Sequence, residues 1–233
     1  MNNVVITGAS RGIGFAIAKA FAKQGYNLLL TSRNDFNLYK AVETLQTHYG
    51  EITVSAKAFD LAVKEQALSF GAWCLEQGAP AVLVNNAGVF EPGNIGDEPD
   101  GALEKQVATN LYSAYHVTRA LLPAMKQQQS GHIFNICSIA SLQAYPGGGA
   151  YSISKYALHG FSANLRHELK SDHIKVTSVF PGAVLTDSWQ DFDNSNSRIM
   201  EAEDIAEMIL AASRLSKGAC VEDIVLRPQQ GDL

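Results

Sequence analysis

With 233 residues, 46% of them apolar and 18% charged, the chain has the composition of a folded globular domain and the length for one substantial core. A formal net charge of only -5, with no dense Lys/Arg cluster, excludes the electrostatic footprint of a nucleic-acid binder. No apolar run approaches the roughly 20 residues that a membrane-spanning helix needs, and Cys74, Cys137 and Cys220 are too scattered for a disulfide framework or a zinc site, so neither membrane nor metal is expected.

The first strand, Val4 to Thr7, begins so near Met1 that a basic n-region and apolar h-region have no room, which points to a cytoplasmic protein. Helical periodicity follows from Gly12 to Gln24, and a second strand from Asn27 to Thr31. Further strands are predicted at Ile52 to Ala58, Ala81 to Asn85, His132 to Ile136, Lys175 to Phe180 and Val221 to Leu226, with helices between them. Seven strands alternating with helices imply an α/β Rossmann-type, doubly wound fold, a mostly parallel sheet with helices on both faces. Ligands then bind beyond the carboxyl ends of the strands. No stretch has a linker's composition, so residues 1–233 are read as one domain. The irregular run from Gly182 to about Met200 holds Asp187, Asp191, Asp193, Asn194, Ser195 and Asn196 around Trp189 and Phe192, and is expected to be a substrate lid.

Between the first strand and first helix stands T-G-A-S-R-G-I-G, with Gly8, Ser10, Arg11, Gly12, Ile13 and Gly14. A dinucleotide pyrophosphate needs backbone N–H groups aimed at it from a helix N-terminus, and glycine lets it approach. The same glycines would also serve a plain tight turn. At the end of the second strand, Leu30-Thr31-Ser32-Arg33 carries no acid for a ribose 2′-OH, while Arg33 and Arg11 suit a 2′-phosphate, so NADP is expected over NAD. The opposing reading has both arginines solvated and Asp35 turned back to the ribose. Asp60 and Leu61, after the third strand, are placed at the adenine edge, or Asp60 caps the next helix.

Tyr151 and Lys155 lie four apart in a helical segment, hence on one face. An ammonium beside a phenol favours phenolate and brings proton exchange with a substrate oxygen toward neutral pH. Ser138 follows the strand ending at Ile136, Asn85-Asn86-Ala87-Gly88 ends the strand before, and Asn110 falls in a helix. Taken singly, these also read as a cap, a turn and a satisfied core amide.

Together, T-G-x-x-x-G-x-G, N-N-A-G, Asn110, Ser138, Y-x-x-x-K and Pro181-Gly182 resemble, in order, the classical short-chain dehydrogenase/reductase family. The resemblance implies Tyr151 as acid/base, Lys155 as the group that depresses its pKa and holds the nicotinamide ribose, Ser138 as carbonyl orienter and Asn110 as a water anchor. It also places Pro181, Gly182, Val184 and Thr186 beside the cofactor, together with Asn86, Ala87 and Gly88. Cys137 departs from the second serine common there, and an oxidation-sensitive loop is one consequence to test. A homodimer or homotetramer built through helices near Leu103 to Gln127 and Tyr151 to Lys170 is implied as well. The ending Val221 to Pro228 and Gly231-Asp232-Leu233 resembles bacterial sepiapterin reductases. The substrate is expected to be a small carbonyl or alcohol. A 3-oxoacyl thioester, a pteridine, or a non-catalytic dinucleotide sensor are the alternatives.

Overall fold

The structure is a computed structural model and describes residues 3–186 and 192–232. Its sheet contains β1 (Asn3–Thr7), β2 (Asn27–Thr31), β3 (Val54–Ala56), β4 (Val82–Asn85), β5 (Gly131–Ile136), β6 (Ile174–Pro181) and β7 (Asp223–Leu226). The spatial order is β3-β2-β1-β4-β5-β6-β7, and every pairing is parallel. Strands buried on both faces read as unbroken apolar runs, which is why Val4-Val5-Ile6 and Leu28-Leu29-Leu30 were legible without alternation.

Neighbouring residues of one strand serve opposite layers. Val4, Ile6, Leu28 and Leu30 pack against Ile17 and Phe21 of α1 (Gly12–Lys23) and Ile205 and Ile209 of α7 (Ala202–Ser213). Val5, Leu29 and Leu83 meet the other layer, where Phe70 of α3 (Lys64–Glu76) and Leu121 and Met125 of α5 (Ser113–Gln128) lie. The chain completes its shell with α2 (Asp35–His48), α4 (Ala102–Val107) and α6 (Gly149–Glu168). Strand order reverses direction between β1 and β4, so a crevice opens at their carboxyl ends, the position that such sheets use for ligands.

Two elements differ from the sequence reading. The third strand is shorter than Ile52 to Ala58, because it is an edge strand whose continuation follows β2 only through Lys57 N to Leu30 O and Phe59 N to Ser32 O, each 3.2 Å. The helix expected near Leu103 to Gln127 is interrupted by a π turn at Ala108–Tyr112, closed by Ser113 N to Ala108 O.

Polar groups inside the sheet are paired across it. Asn85 Nδ2 donates to Thr118 Oγ1 at 2.9 Å and to Asn135 Oδ1 at 2.8 Å, and Asn135 Nδ2 passes on to Ser162 Oγ at 2.8 Å. His132 is buried with Nε2 2.7 Å from Thr177 Oγ1, while Nδ1 has no partner among the described residues. Burial, helped by the Lys175 charge, pushes its pKa down to about 3.

In the lid expectation, Asp187, Trp189 and Asp191 lie outside the described residues. On either side of them, Leu185 N binds Met200 O at 2.8 Å and Met200 N binds Ala183 O at 3.1 Å, so the excursion leaves and returns at one place. Asn194 fastens the returning arm, accepting from Ile199 N at 2.9 Å and donating to Ile199 O at 3.1 Å. No described helix is long and apolar enough to cross a membrane.

Candidate active site

A cavity of about 720 Å³ lies at the carboxyl ends of β2, β1, β4, β5 and β6. Its floor is the glycine turn after β1. Gly8 (φ 64°) and Gly12 (φ 55°) occupy the left-handed region that favours glycine. Gly14 is required by space, since a Cβ there would come within 2.3 Å of Gly8 O and 2.4 Å of Asn86 Nδ2. Asn86 is the lace that holds this turn. Its Nδ2 donates to Thr7 O and Gly8 O, both at 3.0 Å, while Asn86 N and Ala87 N donate to Thr7 Oγ1 at 2.9 Å. The N-N-A-G run is thus more than a strand-ending turn: it ties β4 to β1 at the crevice.

Gly8, Ser10, Arg11 and Ile13 line the cavity, and so do Arg33, Asn34 and Asn37 beyond β2. Asp35 begins α2 and is not among the lining residues. Asp60 and Leu61 line it too; Asp60 does not cap α3, whose N-cap position is Val63, and its Oδ1 instead accepts Ala62 N at 3.1 Å in the turn before that helix. Pro181, Gly182, Val184 and Thr186 form the wall after β6, joined by Asp232 from the chain's end. Thr186 also faces Gly12, where a Cβ would sit 3.2 Å from Thr186 Cγ2.

Ser138, Tyr151 and Lys155 meet at the other end of this cavity. Ser138 caps a short 3-10 turn, accepting Ala140 N at 3.1 Å, and its hydroxyl faces the Tyr151 phenol, whose pKa it acts to lower. Tyr151 stands in the first turn of α6 and Lys155 one turn later. Lys155 Nζ donates to Ile136 O at 2.8 Å and sits 5.7 Å from the centroid of the Tyr151 ring. Burial lowers Lys155 to about 8. Burial also pushes Tyr151 up to about 12, with the Ser138 hydroxyl acting against it. Desolvation dominates here, so the phenol stays protonated at neutral pH, against the depression expected from Lys155.

Asn110 is not part of the lining. It is buried in the π turn, where Oδ1 accepts Val89 N at 2.7 Å and Nδ2 donates to Val89 O at 3.0 Å and to Ser154 Oγ at 2.9 Å. Both amide protons are committed within the protein. Ser154 Oγ then donates to Tyr151 O at 2.7 Å, which links Asn110 to the turn that carries Tyr151. Gln106, one turn earlier and unnoticed in the sequence, grips Glu91 in the same way, through Nε2 to Glu91 O at 3.1 Å and Oε1 from Glu91 N at 3.4 Å. These two amides hold the extended chain as a neighbouring strand would. Between their grips, Phe90 turns its ring to Tyr151 edge-on at 4.8 Å.

Phe90, Gln143 and Tyr145 line the cavity without a sequence signal beyond proximity to the motifs. Cys137 is 2% exposed, and burial drives its thiol up to about 11, so the oxidation-sensitive loop is not what the structure supports. Among the described residues no cluster of His, Cys, Asp and Glu could hold a metal ion.

A family model for short chain dehydrogenase matches residues 2–197. The sepiapterin reductase of Chlorobaculum tepidum is 33% identical over 99% of this chain and 97% of its own. The alcohol dehydrogenase of the archaeon Thermococcus sibiricus, solved with 5-hydroxy-NADP, superposes with a TM-score of 0.90 at 28% identity, covering 98% of this chain and 97% of that one. A metagenomic short-chain oxidoreductase solved with NADP gives 0.86 at 30% identity over 98% and 97%. Motif order, the glycine turn laced by Asn86, the Ser138–Tyr151–Lys155 cluster and these matches agree: the chain belongs to the short-chain dehydrogenase family.

Proposed function

We propose that this oxidoreductase uses NADP to interconvert a small carbonyl compound and its alcohol. The observation that carries the proposal is the meeting of Ser138, Tyr151 and Lys155 in the same cavity as the glycine turn and Arg11 and Arg33. The residues fit the dinucleotide: the turn after β1 lines the cavity at the N-terminus of α1 through Gly8, Ser10, Arg11 and Ile13, and the β2 end presents the cation Arg33 where an NAD site would present an acid. Gly8, Ser10, Ile13 and Gly12 would hold the pyrophosphate, Arg33 and Arg11 the 2′-phosphate, and Asp60 and Leu61 the adenine. NADP in the solved relatives supports the choice. When bound, the nicotinamide carries the hydride.

The chain supplies the proton and the position. In the reducing direction the Tyr151 phenol donates its proton to the substrate oxygen, while the Ser138 hydroxyl donates a hydrogen bond to that oxygen and aligns it. Lys155 Nζ, beside the ring, stabilises the phenolate left behind. Phe90 walls the substrate side and excludes water there. Association as a homodimer or homotetramer is supported by exposed apolar side chains on the α4–α5 rod and α6: Leu103, Tyr112, Ile153 and Tyr156.

The test is NADPH consumption by the purified protein with a panel containing a simple diketone and a pteridine ketone. Turnover of the diketone is expected. Preference for the pteridine, which the Chlorobaculum relative favours as a second reading, would narrow the substrate. Dinucleotide binding without turnover of any carbonyl would overturn catalysis in favour of a sensor.

A further inference from the structure

The chain beyond Phe90 continues to the start of the catalytic helix. Gly93 forms an isolated parallel bridge with Gly148, through Gly93 N to Gly147 O at 3.0 Å. Asn94 Oδ1 accepts Gly147 N at 3.1 Å, and a turn then brings Glu98 against α6, where its Oε1 accepts Ala150 N at 2.8 Å. The seat is shaped for this carboxylate. A Cβ on Gly93 would lie 2.4 Å from Glu98 Cγ, and one on Gly149 would lie 2.2 Å from Glu98 Oε1. The helix's own cap residue, Gly148, makes no side-chain cap bond, so this first-turn N–H is satisfied from 52 residues away. Ala150 immediately precedes Tyr151.

We propose that Glu98 is a positioning residue for Tyr151, an N-terminal clamp that fixes the first turn of α6 and so the direction of the phenol. The proposal rests on the reading of Tyr151 as proton donor. A helix of 20 residues, anchored by buried Leu158, Ser162 and Leu165, does not depend on one cap for its existence. What the cap governs is fraying of the turn that carries Tyr151. The strap that bears Glu98 also bears Phe90, so the clamp sets both the phenol and the wall facing it.

Three variants separate reach from charge. Glu98→Gln keeps an oxygen acceptor at the same length and is expected to retain kcat within about twofold. Glu98→Ala and Glu98→Asp remove or shorten it and should lower kcat by about tenfold or more, with KM for NADPH within about twofold of the parent. A second readout does not depend on turnover. Amide exchange at Ala150 and Tyr151 should accelerate in Glu98→Ala and not in Glu98→Gln, while Leu158 stays protected in both. Unchanged exchange and unchanged kcat in Glu98→Ala would overturn the proposal, as would a Glu98→Gln variant as impaired as the alanine. An inactive parent whose Ala150 amide still responds to Glu98→Ala would refute the assigned reaction and leave the clamp standing.

Discussion

Replacing Lys155 by methionine, similar in length and uncharged, separates the energetic burden of an ammonium from its use. Burial brings Lys155 from 10.5 to about 8, so the folded protein releases this proton more readily than the unfolded chain. Between those two values the unfolded state binds more protons, and stability contributed by this group rises with pH; below about 8 both states are charged and the penalty is complete. The full shift corresponds to about 3 kcal/mol, and about 1 kcal/mol of it is regained between pH 7 and pH 9. Urea unfolding of parent and Lys155→Met at those two pH values measures it, because titrations common to both proteins, such as those of Cys74 and Tyr151, largely cancel in the comparison. The parent should gain about 1 kcal/mol on the variant. At pH 7 the variant also leaves Ile136 O without its donor, a loss of about 1–3 kcal/mol that offsets much of the relief. Turnover should collapse although stability barely changes. Parallel stability curves for the two proteins would refute the argument that this ammonium is desolvated.

Tyr151→Phe should lower kcat by about 10²-fold or more with NADPH affinity retained, since the ring still meets Phe90 but the proton is gone; stopped-flow turnover and fluorescence titration measure the two. NADPH should be preferred to NADH by at least about tenfold, or about 1.4 kcal/mol, and Arg33→Asp should reverse this in kcat/KM. His132 has a folded pKa of about 3 against 6.5, so stability should fall as pH drops below 6.5, by about 2 kcal/mol at pH 5; His132→Gln should flatten that slope in acid unfolding curves. The lid expected from the sequence is tested by amide exchange across Gly182 to Met200, where slowing with NADP and a substrate analogue together, and not with NADP alone, is the expected result.

The centre of the sheet was legible because β1, β2 and β4 are short apolar runs ending in a polar residue, and buried parallel strands need no alternation. Helical spacing and strand ends place Tyr151, Lys155 and Ser138 locally, but it is the order of the motifs, through the family resemblance, that singles them out. What sequence could not convey is longer in range. Gln106 looks like any glutamine of a polar helix face, and only the path of Glu91, fifteen residues earlier, gives it a partner. Glu98 reads as a loop acid until Gly93 and Gly149 are seen to make room for it. The Tyr151 phenol was misjudged because four-residue spacing reports the neighbouring cation and says nothing of how much water the fold removes.

The widened turn at Ala108–Tyr112 makes chain length itself a constraint in this stretch. Deleting one residue would restore an ordinary helical repeat, and judged locally that is an improvement. Yet each residue turns a helix by about 100°. With Gln106 and Asn110 kept on the strap, the deletion would swing Val117, Leu121 and Met125 off the sheet they cover. One inserted residue would do the same in the opposite sense. Gaps in alignments of this chain with its relatives should therefore fall in the loops after β4 and β6, and this rod should keep its count of residues even where its side chains change.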